Sequence, residues 1–393
     1  MRFLKISTII IFFCITSVLE AQKTNPYQST DKIALQIPES QTKSTIEIAR
    51  YVDSHFSNQS DKSRAIFVWI ASNIQYDFEN MLAVDFYENP EKIIEKVLNS
   101  HKGVCMHYAE LYTKIANETG IKTYMITGYT KQNGFVEFIP HAWCASQIDS
   151  VWYLFDTTWG SGYIQNAKFV RKLNNYYYKV KPEQLVKSHI PFDPLWQFIN
   201  YPVSNQDFAE GKTSIDKKKP FFNFTDTLKT YESETEIERL ISANRRITNN
   251  GVKNYLILNV IQQNKQQIDI YNNNLMVEAY NQAVNSFNKG ISQLNAFINY
   301  RNNQFNPKKS DEEIKQMIAD VDVSFDNARA DIKNIKKANS TTAGSILQLI
   351  KSIDEAELNL NEQKSFLDKY LKTGKLFRKT LFVKYTWMGI PIN

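Results

Sequence analysis

The sequence predicts an α+β domain over about residues 44–205, followed by an elongated all-α helical bundle or coiled-coil region over residues 233–393. Three observations carry this. Before Gly120 the apolar residues recur at helical spacing, and from Ile121 to Thr157 they gather in β-branched and aromatic runs. Beyond Ser233, Pro and Gly almost vanish and apolar residues step by four and three. A length of 393 residues exceeds one ordinary domain of roughly 150. The 42% hydrophobic and 13% aromatic content is enough to build a core.

Residues 22–43 are polar and weakly patterned, and an extended leader is expected there. Ser44 then opens a helix, with Glu47 at the position that completes a capping box. A second helix is expected over Lys62–Gln75 on the spacing of Ile66, Trp69, Ile70 and Ile74, and Pro90 starts a third. The helix after Gly103 carries Tyr108, Leu111, Tyr112 and Ile115, and Gly120 ends it at C′. Strands are expected at 121–129, 142–148 and 151–157, with Asp149-Ser150 as a hairpin turn. Residues 206–232 read as a linker, with Lys217-Lys218-Lys219-Pro220 as the boundary. After it come the stripes Tyr280, Val284, Phe287, Ile291, Leu294, Ile298 and Ile314, Met317, Val321, Phe325, Ala328, Ile332, the second opened by a Ser310–Glu313 capping box. A further helix is expected from Ile346 to about Leu371. One running from about Val252 to Phe305 would be on the order of 75 Å long. The aromatic-rich end, with Phe377, Leu381, Phe382, Tyr385 and Trp387, is expected to pack back on a core.

Residues 1–21 have the order of a secretory signal peptide: a basic start, an apolar run from Ile9 to Leu19, and Ala21-Gln22 as a small-residue cleavage point. A secreted or periplasmic location, with association to the cell envelope, is the expectation. Phe12 and Phe13 precede Cys14, too bulky for a lipid-attachment site. The net charge of +6 is spread among acids, which leaves nucleic-acid binding without a footprint. No histidine–cysteine cluster has zinc spacing, and neither metal nor cofactor is expected.

The candidate chemistry begins at Cys105, in the first turn of its helix, where unpaired N–H groups and the dipole favour a negative charge on sulfur. Gly103 would let a substrate backbone approach. A lone cysteine is more often a small buried hydrophobe, so the case depends on partners. His141 opens one strand and Asp156 closes the next. An even-numbered loop centred on Asp149-Ser150 sets Trp143 opposite Asp156, and His141 shares the Trp143 face. Carboxylate and imidazole are then diagonal neighbours, as a thiol's base needs. The same alternation turns Cys144 to the other face, which argues against a disulfide with Cys105.

The run Asn73-Ile74-Gln75-Tyr76-Asp77, then Gly103-Val104-Cys105 with Tyr108-Ala109, His141-Ala142-Trp143 and Trp152 through Trp159, resembles the transglutaminase-like superfamily. Within it the chain is similar to bacterial relatives of the kyphoscoliosis peptidase, and His189-Ile190-Pro191 to Trp196-Gln197 resembles the end of that domain. The resemblance covers about residues 44–200. It implies a papain-like, transglutaminase-like core and a catalytic triad of Cys105, His141 and Asp156 acting on amide bonds of a protein or peptide. A departure is His107, where relatives carry glycine, which bears on the width of the cleft. The alternative is a non-catalytic scaffold or binding protein that keeps the fold. In either reading the C-terminal helices could serve self-association or a partner protein. Trp69 is expected in the core, Gln75, His55 and His101 at the surface, and His189 in a packing role.

Overall fold

A computed structural model of the chain describes residues 25–81, 89–335, 340–382, 386–387 and 390–391. The expected signal peptide and Cys14 lie outside the described residues. The chain divides into two compact units, one running to Glu234 and including Ser242–Ile261, the other taking Thr235–Ile241 and continuing from Gln262.

The first unit begins before residue 44. Where an extended leader is expected, helix α1 (Gln28–Ala34) packs Ala34 into the core. An ion pair holds it: Arg64 donates from Nε and Nη2 to Asp31 at 2.6 and 2.7 Å, and its guanidinium lies 4.4 Å from the centre of the Tyr27 ring. Helix α2 (Thr45–His55) follows, with the Ser44 hydroxyl accepting the Glu47 N–H. Helix α3 (Gln59–Asn73) is capped by Asn58 and is buried from Ala65 to Ala71 without interruption, as befits a central helix. Strand β1 (Gln75–Tyr76), helix α4 (Pro90–Ser100) and strand β2 (Lys102–Gly103) come next, and the two strands pair in parallel. Helix α5 (Cys105–Glu118) starts immediately, and Gly120, at φ 77°, closes it in the left-handed region.

Three strands then run antiparallel: β3 (Thr123–Gln132), β4 (Phe135–Ile148) and β5 (Val151–Phe155). Strand β4 begins earlier than expected because Asn133-Gly134, both at positive φ, form a tight turn that pairs Phe135 with Gln132. Helix α6 (Thr157–Ser161), the hairpin β6 (Gly162–Gln165) and β7 (Lys168–Arg171), helix α7 (Pro182–Leu185) and strand β8 (His189–Pro191) complete the sequence. The sheet order is β5-β4-β3-β8. One face of β4, with Ala142, Cys144 and Ile148, joins the core built by α2, α3 and α5. The other, with Trp143 and Ala145, packs with Leu185, Leu195 and Leu228.

Residues 206–232 are part of this unit and not a free linker. Helices α8 (Asn205–Glu210) and α9 (Phe224–Ser233) bury Phe208 and Leu228, and Lys219 pairs with Asp207 at 2.5 Å. Helices α10 (Glu236–Asn249) and α11 (Tyr255–Asn302) add Ile247, Leu256, Ile257 and Ile261 to it.

In the second unit, α11 continues and is joined by α12 (Asp311–Lys333) and α13 (Ser340–Lys372). The α12 capping box forms: Ser310 N–H donates to Glu313 at 2.7 Å and Glu313 N–H to Ser310 at 3.2 Å. The expected stripes build the core, with Leu294, Ile314, Val321, Phe325 and Ala328 buried and Tyr280, Val284, Phe287, Ile291 and Ile298 packed against them. At Gly290 a Cβ would stand 2.5 Å from the Phe325 ring, so the small residue lets that ring seat. Of the aromatic end, Phe382 packs on Phe305, Phe366 and Tyr370, while Phe377 is exposed; Tyr385 and the Trp387 side chain lie outside the described residues.

Candidate active site

Cys105 is the first residue of α5, and the first turn of a helix leaves backbone N–H groups without intrahelical partners. The parallel pairing of Tyr76 with Gly103 fixes the approach to it. Gly103 has a use other than the expected one. A Cβ there would stand 2.6 Å from the His107 Cβ, and His107 folds back so that its Nδ1 accepts the Val104 N–H at 2.9 Å. The departure at His107 is therefore a helix cap, and Gly103 makes room for it.

The β4–β5 register runs from Ile148 opposite Val151 to Cys144 opposite Phe155, the parity expected from the turn. Continued by one residue it brings Asp156 toward Trp143 and within reach of His141. His141 donates from Nε2 to Asp156 Oδ2 at 2.8 Å. That leaves Nδ1 free of Asp156, and the Cys105 side chain is near enough to the imidazole to help raise its pKa. The ring is enclosed between Trp143 and Trp159, at 6.1 and 5.5 Å between centroids. Burial alone would lower the His141 pKa. The charge and hydrogen bond of Asp156, helped by Cys105, outweigh it and push it up to about 10.

Asp156 is fully buried and closes β5 as the cap of α6. Its Oδ1 accepts the N–H groups of Thr158 and Trp159, each at 2.9 Å. Its Oδ2 accepts a second histidine as well, His189 from Nε2 at 3.0 Å. Burial would raise this carboxyl, but the charges and donors of His141 and His189 hold it well below the usual carboxylate range. The packing role expected for His189 misses this contact. His189-Ile190-Pro191 stood out in the sequence as a run, yet nothing in its spacing ties it to Asp156.

His141, Asp156 and His189 also present ligand atoms within 4.8 Å of one another. Both Nε2 atoms are spent on the same carboxylate oxygen, so hydrogen bonds account for their closeness. A metal would need those N–H protons removed and the lone pairs aimed at a common point.

Among the described residues the two cysteines, Cys105 and Cys144, are both free and both buried in the core that includes α5. The expectation that strand alternation separates them is incomplete. Cys144 donates from Sγ to Ala109 O at 3.3 Å and lies 3.5 Å from the Thr113 hydroxyl, so it meets α5 one and two turns beyond Cys105. Distance along the helix keeps the thiols apart. Of the other residues, Trp69 is buried, Gln75 is exposed, His55 is exposed against Tyr51, and His101 closes α4 in the left-handed conformation.

A cleft of about 970 Å³ opens at His141 and Trp159. Tyr76, Tyr163 and Phe169 line it, with Lys131 and Lys172 among them. The β6–β7 hairpin wall is held by Arg171, whose Nη1 donates to Ala71 O and Ile74 O at 2.5 and 2.9 Å.

Residues 46–157, which contain Cys105, His141 and Asp156, match the family model described as the Transglutaminase-like superfamily. The kyphoscoliosis peptidase of Mus musculus is 28% identical over 197 residues, which are 48% of this chain and 28% of that protein. Hillarin of Drosophila melanogaster is 21% identical over 202 residues, 46% of this chain and 24% of that protein. A crystal structure of a TGase aligns at 20% identity with a TM-score of 0.24, covering 39% of this chain and 37% of that one. The chain thus spans under a third of the length of the curated relatives it matches. His189 falls outside the matched segment, whereas the cysteine, the first histidine and the aspartate all fall within it, and residues 46–157 are a transglutaminase-like domain.

Proposed function

We propose that this protein is a cysteine enzyme of amide bonds, working through a thioester on Cys105. The observation that carries the reading is the chain of contacts from Cys105 through His141 to Asp156, with the thiol at the head of a helix. The Cys105 sulfur attacks the amide carbonyl carbon, with its proton already on His141. The carbonyl oxygen takes the negative charge, and in this reading the N–H of Cys105, in the first turn of its helix, stabilises it. The C–N bond breaks as His141 Nδ1 gives its proton to the leaving amine. Water, or a primary amine in transfer, then attacks the thioester, yields its proton to His141 and frees the sulfur. Asp156 holds the ring and balances the imidazolium charge throughout.

The substrate in this reading is a protein or peptide. The basic start and apolar run of residues 1–21 support action outside the cytoplasm, and the helical unit supports association with a second copy or a partner protein. The test is incubation of the purified chain with a peptide library, with and without a primary amine, read by mass spectrometry. An acyl adduct on Cys105, released as acid or as amine conjugate and absent in Cys105→Ala, is expected. Turnover that survives Cys105→Ala would overturn the reading. Absence of any adduct would favour a scaffold that keeps the fold.

A further inference from the structure

We propose that His189 is a positioning residue of this site, a neutral Nε2–H donor that locks the Asp156 carboxylate in the orientation from which it holds His141. The proposal rests on the acyl-transfer reading and adds to it a residue from a separate element, β8.

Asp156 has two donors on each oxygen, the Thr158 and Trp159 N–H groups on Oδ1 and the two histidines on Oδ2. Turning the carboxylate about its Cβ–Cγ bond would break all four hydrogen bonds at once. Without His189, Oδ2 would keep only the ring it has to orient. A buried carboxylate oxygen short of a donor tends to rotate or recruit water, and either would move His141.

The surroundings of His189 fix its proton. Its Nε2 faces a carboxylate oxygen, which can only accept, so it carries a ring proton; the Ser188 hydroxyl lies 2.8 Å from Nδ1 and 3.4 Å from Leu185 O, and the shorter contact favours donation to Nδ1. The ring is fully buried, with Trp159 and Trp143 at 4.6 and 5.2 Å between centroids. Burial of the ring and the adjacent His141 charge hold the His189 pKa below its usual value, against the pull of Asp156. His189 therefore stays neutral while His141 carries the proton. The Asp156 charge also reaches Cys144 of β4 and the phenols of Tyr76 and Tyr177, while Cys105 of α5 acts on His141. None of these is a hydrogen-bond donor to Oδ2 in the structure. His189 touches no reacting atom and acts only through Asp156.

The bland reading is a satisfied core histidine, and two variants separate the two. His189→Phe keeps a ring of similar volume and removes the donor, while His189→Gln places an amide N–H near the Nε2 position. Cys105 alkylation by iodoacetamide is measured against pH in the full chain, with thermal unfolding in parallel. His189→Phe is expected to slow alkylation about 10- to 100-fold, the scale of one lost hydrogen bond to a charged group. The acid limb of the profile should move toward neutrality, because Asp156 has lost a donor. His189→Gln should restore most of the rate. An unchanged rate and profile in a folded His189→Phe would overturn the proposal, as would a folded His189→Gln as slow as the phenylalanine variant. Nitrogen NMR of the imidazoles gives a readout that does not depend on Cys105 reactivity. In the wild type His189 should be the neutral Nε2–H tautomer, and the His141 titration should move in His189→Phe. A charged or Nδ1–H His189 near neutral pH, or an unmoved His141, would defeat the proposal even if Cys105 proved unreactive. Fast alkylation failing in the wild type while these NMR signatures hold would instead count against the acyl-transfer reading alone.

Discussion

Cys144 Sγ donates to the carbonyl of Ala109 at 3.3 Å, one turn along α5 from Cys105. The helix therefore meets two thiols in opposite chemical settings, its own Cys105 and Cys144 of β4. Cys144 is sealed in the core, and burial pushes its thiol far up. Cys105 sits at the helix start against an imidazole. In the native protein iodoacetamide should modify Cys105 at least about 100-fold faster than Cys144, a gap set by thiolate availability and access. Peptide mapping after timed quenching reads both sites at once. Comparable slow labelling of the two would remove the basis for a nucleophilic Cys105.

The coupling of His141 to Asp156 sets how stability depends on pH. His141 is raised from 6.5 to about 10, so its contribution is complete below 6.5 and is lost as pH rises through about 10. Asp156 is lowered from 3.8, so its contribution is complete above 3.8 and is lost as the solution is acidified. Both hold between about 3.8 and 6.5. The difference in unfolding midpoint between the wild type and His141→Phe should be widest in that window and narrow toward pH 10. A difference that widens from pH 7 to pH 10 would mean that His141 is neutral in the folded protein.

The sequence disclosed the parts of this site that obey a period. The parity of the Asp149-Ser150 turn is enough to set Asp156 beside His141, since side chains alternate along a strand. Gly120 and Ser310 mark helix ends because only certain residues fill those positions. Asn133-Gly134 is an equally strong turn signal, but the strand after it contains Pro140, which lacks the N–H that a ladder position calls for. His189 was beyond reach for a different reason. It lies 33 residues from Asp156, and its position depends on β8 pairing with β3, which no local pattern encodes. Helix α1 escaped in the same way, being short and held by a distant ion pair.

That ion pair makes residues 28–34 part of the domain, with a measurable consequence. Arg64 is fully buried, and Asp31 supplies both of its hydrogen-bonded oxygens. Asp31→Ala would leave a buried guanidinium with aromatic rings but no counter-charge. Removing one partner of such a pair costs about 3–5 kcal/mol. Urea unfolding of Asp31→Ala should show a loss of that size. A loss below about 1 kcal/mol, the scale of an exposed pair, would mean that α1 detaches without consequence.

Gly128 governs how closely β8 can lie to β3, and so where His189 stands. It is opposite His141 on one side and Pro191 on the other. A Cβ at this position would collide with the Ile190 carbonyl oxygen and stand 2.6 Å from the Trp143 ring. The first of these is backbone and cannot swing aside, so Gly128→Ala must push β8 outward. Overpacking of this kind costs about 1–3 kcal/mol, and the urea midpoint should fall accordingly. The displacement also draws His189 away from Asp156, so Cys105 alkylation in the folded variant should slow in the manner of His189→Phe. Loss of stability with an unchanged alkylation rate would separate the two effects, showing that β8 can shift without disturbing the carboxylate.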